Sequence, residues 1–271
     1  PALNGFCKGH GFNLNDIVIR KDDKGTDYVY ALQKFPSLKA TEILCELLPE
    51  MISTITFPKT MRWNSDNIVY SRPIRWIVAL FGNQIIPFLY GHIASGRTSR
   101  GLRSDKSPTI ELTSASNYLD KMEKIGIVAD RVTRREAILK QVKILTNEIN
   151  GEIPEDPNLL EEVTDLVEAP HALRGTFDEV HLELPQEILV TVMKKHQRYF
   201  PVFHQKTKHL MPYFITVSNG RPKNPKIVIR GNERVIRARY ADATFFYQRD
   251  QTKPLADYLS KLDNLSFQEH L

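Results

Sequence analysis

The sequence predicts a mixed α/β fold of the α+β type, with largely antiparallel sheets flanked by helices. Three observations predict it. Two apolar, β-rich runs at 74–81 and 84–90 are joined by Gly82-Asn83, a strong hairpin signal. Two stretches, 130–150 and 158–167, carry apolar residues at helical spacing. Strand-like runs then return at 198–203 and 213–217, ahead of a long helical segment.

Taken in order, residues 27–33 alternate enough for a strand. Apolar residues at 43, 44, 47, 48 and 51 predict a helix that ends near Phe57-Pro58. Met61-Arg-Trp63 and Arg72-Pro-Ile-Arg-Trp76 read as strand entries with their Trp residues anchored in the core. Residues 109–112 form a short strand. Asp130 reads as the N-cap of a helix to Asn150, stopped by Gly151, with Ile138, Val142, Leu145 and Ile149 buried. Asn158 is expected to cap a second helix, with Leu159, Leu160, Val163, Leu166 and Val167 facing inward. A third opens at Pro185 and runs toward His196. In the strand at 198–203, alternation puts Tyr199 and Phe200 on opposite faces. The last helix spans about 226–248, weakened by Gly231, and its Phe245-Phe-Tyr247 triplet is expected to contribute to the core.

Composition describes an ordinary globular chain of 271 residues, 41% apolar and 25% charged, large enough to bury a core without metal or disulfide help. Cys7 and Cys45 have no CxxC spacing, so a zinc site is not expected and a reducing compartment is the default. The apolar runs are too short to span a membrane. The chain opens at Pro1 without Met and closes on Ser266-Phe-Gln-Glu-His-Leu271, so both ends read as cuts and a targeting segment lies outside this reading.

The net charge of +5 hides two blocks. Residues 151–185 carry ten acids against Arg174 alone, whereas 186–250 carry thirteen Lys or Arg against four acids. The basic block suits a phosphate backbone. The simpler alternative is that the two blocks pair with each other.

Candidate contacts follow from this block. Arg230, Arg234 and Arg237 fall at i, i+4 and i+7, one face of a helix, with Glu233 placed to neutralise part of it. Lys194, Lys195 and Arg198 flank His196, which reads as a helix-end group suited to the dipole. Tyr199, Phe200 and Phe203 suit either base stacking or the core. The loop Gly96-Arg-Thr-Ser-Arg-Gly-Leu-Arg103 adds Arg97, Arg100 and Arg103 among glycines and hydroxyls that permit close approach to phosphate. Glu161, Asp165 and Glu168 also share a helical face, which suits a divalent ion or, more simply, solvent. No P-loop, no GxGxxG after a strand, no GxSxG elbow and no adjacent His-Asp pair is present. Neither an ATP site nor a hydrolytic triad is legible, and no catalytic or metal-binding residue is assigned.

Eight segments occur in an order that carries a resemblance. They are Met61-Arg-Trp63, Arg72-Pro-Ile-Arg-Trp-Ile-Val-Ala-Leu80, Leu159-Leu-Glu-Glu-Val-Thr-Asp-Leu-Val-Glu-Ala-Pro170 and Leu184-Pro-Gln-Glu-Ile-Leu189, then Met193-Lys-Lys-His-Gln-Arg-Tyr-Phe-Pro201, Phe214-Ile-Thr-Val-Ser-Asn219, Gly231-Asn-Glu-Arg-Val-Ile-Arg237 and Asp242-Ala-Thr-Phe-Phe-Tyr247. Together the chain resembles the N-terminal half of the β subunit of bacterial-type, two-subunit glycyl-tRNA synthetase. Asn64-Ser65 resembles the plant organellar form, in which α and β are fused.

The resemblance implies a class II ligase in which the α part activates glycine with ATP and Mg2+ and the β part grips tRNA-Gly. It implies a partner α subunit or fused α region, a dimer of the full enzyme and no membrane association. The compartment is the chloroplast, with the mitochondrion as a second site, if the plant form holds, and otherwise the bacterial cytoplasm. The implied division is a remnant of an N-terminal α/β domain at 1–63, a main α/β domain at 64–253 and, at 254–271, the start of a connection to an HD-like helical domain. The main domain is expected to resemble the editing-type domain of the phenylalanyl-tRNA synthetase β subunit. Glycine is the smallest amino acid, so a pocket excludes larger ones sterically, and no editing residue is carried over. The expected role is scaffolding and tRNA contact. The alternatives are a trans-editing aminoacyl-tRNA hydrolase and a scaffold for the α part that never touches RNA.

Overall fold

The computed structural model describes residues 2–31 and 37–259. In chain order the regular elements are α1 (Ala2–His10), β1 (Ile17–Lys21), β2 (Asp27–Ala31), α2 (Ala40–Thr54), β3 (Met61–Arg62), β4 (Val69–Tyr70), β5 (Ile77–Val78), β6 (Leu80–Phe81), β7 (Gln84–Ile85), β8 (Leu89–Tyr90), β9 (Ile93–Gly96), β10 (Thr98–Arg100) and β11 (Thr109–Glu111). There follow α3 (Tyr118–Lys124), α4 (Arg131–Asn147), β12 (Gly151–Glu152), α5 (Pro157–Leu166), β13 (Pro170–Thr176), α6 (Gln186–Thr191), β14 (Phe200–His204), β15 (Leu210–Asn219) and α7 (Pro225–Asp250). The fold is mixed α/β, and its sheets pair antiparallel.

The chain divides into two compact units, 1–75 with 86–95, and 76–85 with 96–271. In the first, β1 and β2 form a hairpin whose turn is held by Asp22 Oδ1, which accepts from the N–H groups of Lys24 and Thr26 at 2.9 Å each. The strand reading at 27–33 is met over Asp27–Ala31, and its last two residues lie outside the described ones. α2 forms as expected, although Pro49 lies inside it. None of its residues is buried, so the apolar stripe at Ile43, Leu47 and Met51 is exposed.

The second unit is organised by a sheet of order β12-β14-β15-β13. Strand alternation sends Phe200, Val202, Ile215 and Ala172 to one face, where Ile138 and Val142 of α4 and Leu159, Leu160 and Val163 of α5 cover them. Tyr199, Leu210 and Phe214 pack on the opposite side against Leu189, Met193, Ile236 and Tyr240. Tyr199 and Phe200 therefore do part to opposite faces, and both are buried.

The centre of the second layer is tight. Gly175 sits opposite Phe214 in the β13–β15 register. A Cβ on Gly175 would collide with the Phe214 ring, which is fully buried and stacks on Tyr199 with centroids 4.8 Å apart. Tyr199 donates from its hydroxyl to Asn232 Oδ1 at 2.7 Å, which satisfies a buried phenol and fixes α7 on the sheet. Glu233 accepts from Thr176 N and Oγ1, both at 3.0 Å, and so does for the edge strand what a further strand would do. On the first face, Gln141 donates to Pro170 O at 3.0 Å and accepts from Ala172 N at 2.9 Å, pinning α4 to the same edge.

Several local expectations are corrected. α4 stops at Asn147, and Asn150, not Gly151, takes the left-handed conformation; Gly151 begins β12 under Val202. Asp156, not Asn158, caps α5, because Pro157 takes the first helical position and Asp156 accepts from Leu159 N at 3.0 Å. Leu166 ends that helix and is exposed. Pro185 is an N-cap, and the helix after it converts to a π-helical turn over Val192–Gln197 that closes on Arg198 at φ 57°. Trp76 is 40% exposed rather than a core anchor. Of the Phe245-Phe-Tyr247 triplet, Tyr247 packs against the second core cluster as expected of one member, and Phe245 and Phe246 are exposed. The Gly82-Asn83 hairpin is present, pairing Leu80 with Ile85 and Phe81 with Gln84, but its strands are two residues long.

Two glycines give opposite tests. Gly175→Ala forces a methyl into the Phe214 ring and should destabilise the chain by ~1–3 kcal/mol. Gly231 lies inside α7 and a Cβ added there would meet nothing within 4 Å, so Gly231→Ala should stabilise by ~0.5–1 kcal/mol. Urea midpoints of the two variants check both signs.

Acid sensitivity is a second test. Burial raises the Asp156 pKa, but the Lys194 ammonium and the Leu159 N–H outweigh it and hold the carboxyl below its usual range. Such a group contributes stability above the unfolded value of about 4 and loses it as pH falls through the folded value. Asp156→Asn keeps a capping oxygen and removes the charge. It should cost ~1 kcal/mol at pH 7 and much less at pH 3. A penalty equal at both pH values in urea melts would contradict this assignment.

Candidate nucleic-acid interface

α7 is 26 residues long and begins at Asn224, whose side chain accepts from Ile227 N at 3.4 Å, with Pro225 in the first turn. Its inner face holds Asn232, Glu233, Ile236 and Tyr240, all engaged with the sheet or with α6. Helical spacing then puts Arg230, Arg234 and Arg237 together on an outer flank, and all three are exposed. Among the described residues none of the three has an ion-pair partner. Glu233, the residue expected to neutralise Arg237, is directed instead to Thr176.

The second cluster is divided. Lys194 pairs with Asp156 at the start of α5. Arg198 donates from Nε to Glu162 Oε1 at 2.7 Å and from Nη1 to the Lys195 carbonyl at 2.6 Å. Lys195 and His196 are exposed. Both lysines lie in the π-helical turn, where consecutive side chains point in different directions, so Lys194 meets Asp156 while Lys195 faces out. Together with Lys208 on Glu152, these contacts join the basic block to the acidic block. The pairing alternative therefore holds for Lys194, Arg198 and Lys208.

The third cluster lies between β9 and β11. Arg97 is committed to structure, donating from Nη2 to Asn83 O at 3.1 Å and from Nη1 to Leu112 O at 3.4 Å. Arg100 lies over the Trp76 ring, 6.0 Å from its centroid. Arg103 is exposed in a short 3-10 turn whose neighbour Leu102 is buried. The Trp76–Arg100 pairing was not legible in sequence, because the partners are distant in sequence and meet only through the fold.

The carboxylates on α5 do not converge. Glu161 pairs with Arg131 at 2.6 Å and with Arg135 at 2.7 Å, and Asp165 pairs with Arg131 at 2.7 Å. The Arg131 guanidinium holds the Asp165 carboxyl below its usual range. Glu168 lies beyond the helix end. No group of three or more His, Cys, Asp or Glu side chains among the described residues is placed to hold a metal ion. Ser65, Asp66 and His92 do meet in the first unit. Ser65 Oγ and Asp66 Oδ1 both approach His92 Nε2, at 3.5 and 2.7 Å. A hydrolytic triad needs the two contacts on different ring nitrogens, so this group cannot relay a proton from serine.

Comparison with known proteins gives the context of this surface. The family described as "Glycyl-tRNA synthetase beta subunit" matches residues 1–271. The chain is 44% identical over 270 residues to the glycine–tRNA ligase beta subunit of Bacillus subtilis strain 168, which covers 100% of this chain and 39% of the relative. It is 43% identical over 271 residues to the protein of the same name from Clostridioides difficile strain 630, with 100% and 39% covered. The chain thus spans about two fifths of the length of these curated relatives. Both are bacterial, and the plant organellar reading of Asn64-Ser65 finds no support in them. Full-length coverage by the family, with relatives above 40% identity, settles the assignment: the chain belongs to the glycyl-tRNA synthetase beta subunit family.

Proposed function

We propose that this chain serves glycine–tRNA ligase as a scaffold that also contacts tRNA-Gly, with the outer flank of α7 as the RNA-facing surface. The observation that carries the reading is the set of three exposed arginines at one helical spacing, none of them ion-paired among the described residues. Lys194 and Arg198, by contrast, are spent on Asp156 and Glu162. Arginine suits phosphate because its planar fork donates two hydrogen bonds at once. Lys195, Arg100 and Arg103 extend the contact set.

In this reading ATP, Mg2+ and glycine activation belong to the α part, the assembled enzyme is a dimer, and the bacterial relatives favour the bacterial cytoplasm. The four-stranded antiparallel sheet with helices on both faces supports an editing-type fold like that of the phenylalanyl-tRNA synthetase β subunit. The Ser65–His92–Asp66 geometry gives the hydrolase alternative no support.

The test is fluorescence anisotropy with tRNA-Gly and an unrelated tRNA across a salt series. Reversing Arg230, Arg234 and Arg237 to Glu should abolish binding near physiological salt. Single Ala changes along the stripe should each reduce the log–log salt slope by roughly 0.7–0.9. Lys194→Ala and Arg198→Ala should lower the Tm and leave that slope unchanged. A triple reversal that binds as the parent does would remove α7 as the RNA surface.

A further inference from the structure

An open pocket of about 420 Å³ lies in the second unit, walled by Trp76, Val78, Leu80, Leu112 and Tyr118, with Ser99 also in the lining. Its construction is unusual for a piece of core. Leu112 is fully buried beneath it and Ser99 is buried, yet Trp76 is 40% exposed and Tyr118 only partly covered. The indole thus forms an aromatic wall that solvent reaches. The Arg100 guanidinium stands over that wall, and Arg97 is pinned by the Leu112 and Asn83 carbonyls, so the neighbouring backbone is held in place without a ligand. Arg103 is exposed a short way along the chain.

We infer that this pocket takes a single unpaired nucleobase of an RNA strand, stacked against Trp76, with Arg100 on the adjoining phosphate. The chemistry selects that ligand on three counts. A flat aromatic fills a cavity of this size and stacks on an indole or on a guanidinium plane regardless of base identity. Ser99 and Tyr118 bring hydroxyl-bearing side chains suited to a base edge. A cation at the rim matches a phosphodiester. A paired base keeps its faces covered by its neighbours and does not enter. The inference rests on and deepens the tRNA-contact reading, and names what this pocket grips, an unstacked nucleotide rather than a helix.

The experiment uses the 271-residue chain carrying Trp63→Phe, which leaves Trp76 as its single tryptophan. Its emission is followed during titration with a mixed-sequence single-stranded hexaribonucleotide, a blunt RNA duplex of the same length, uridine monophosphate and a Trp-containing peptide. Saturable quenching by the single strand is expected, with binding at least about tenfold tighter than for the duplex. Arg100→Ala, at an exposed position, should weaken it roughly tenfold, as for the loss of one charge-assisted hydrogen bond to phosphate. Equal quenching by duplex, equally tight binding of the mononucleotide, preference for the peptide, or no quenching at all would each overturn the inference. Anisotropy with tRNA-Gly separates the two readings. Binding of tRNA that is untouched by Trp76→Ala, without quenching, removes the pocket and leaves the α7 surface standing. Quenching by the single strand without tRNA binding does the reverse.

Discussion

The second unit depends on one close approach, the Phe214 ring over the bare backbone of Gly175. Because Gly175 has no side chain, the ring lies flat on β13 and stacks on Tyr199. Because Tyr199 is held there, its hydroxyl reaches Asn232 and seats α7. Glu233, one residue on, then meets Thr176 at the sheet edge. With that flank of α7 committed inward, helical geometry leaves Arg230, Arg234 and Arg237 on the outside. The basic surface is thus a consequence of core packing, and disturbing the core should rotate or loosen it before it removes any charge.

Electrostatics divide the labour in the same unit. Acids on α5 and at its start hold Arg131, Arg135, Lys194 and Arg198. These pairs are partly exposed, so each adds modest stability, but together they fix which cations have partners and which do not. A net charge computed over the chain conceals this sorting.

Legibility from sequence followed locality. The Gly82-Asn83 turn, the Asp130 cap and the length of α7 are set by near neighbours, and all were readable. The Asp156 cap was also within reach, since an Asp before Pro is a strong helix start. Other features were set by distant partners. The π turn at Val192–Gln197 leaves no trace in apolar periodicity, and the Lys194–Asp156 pair within it joins residues far apart in sequence. Exposure of Trp76, Phe245 and Phe246 contradicts their composition and follows from how little of the described chain lies against them. The stripe at Arg230, Arg234 and Arg237 was legible as a pattern, but its freedom from Glu233 was not, because Glu233 is drawn away by a threonine 57 residues earlier.

The proposed division is that the α7 arginines meet RNA while the cations paired with acids of α5 and its N-cap hold the fold. Arginine-selective modification with phenylglyoxal, read by mass spectrometry with and without tRNA-Gly, tests it residue by residue. The account predicts that tRNA protects Arg230, Arg234 and Arg237 and leaves Arg131, Arg135 and Arg198 unchanged. Protection of the second group without the first would contradict it.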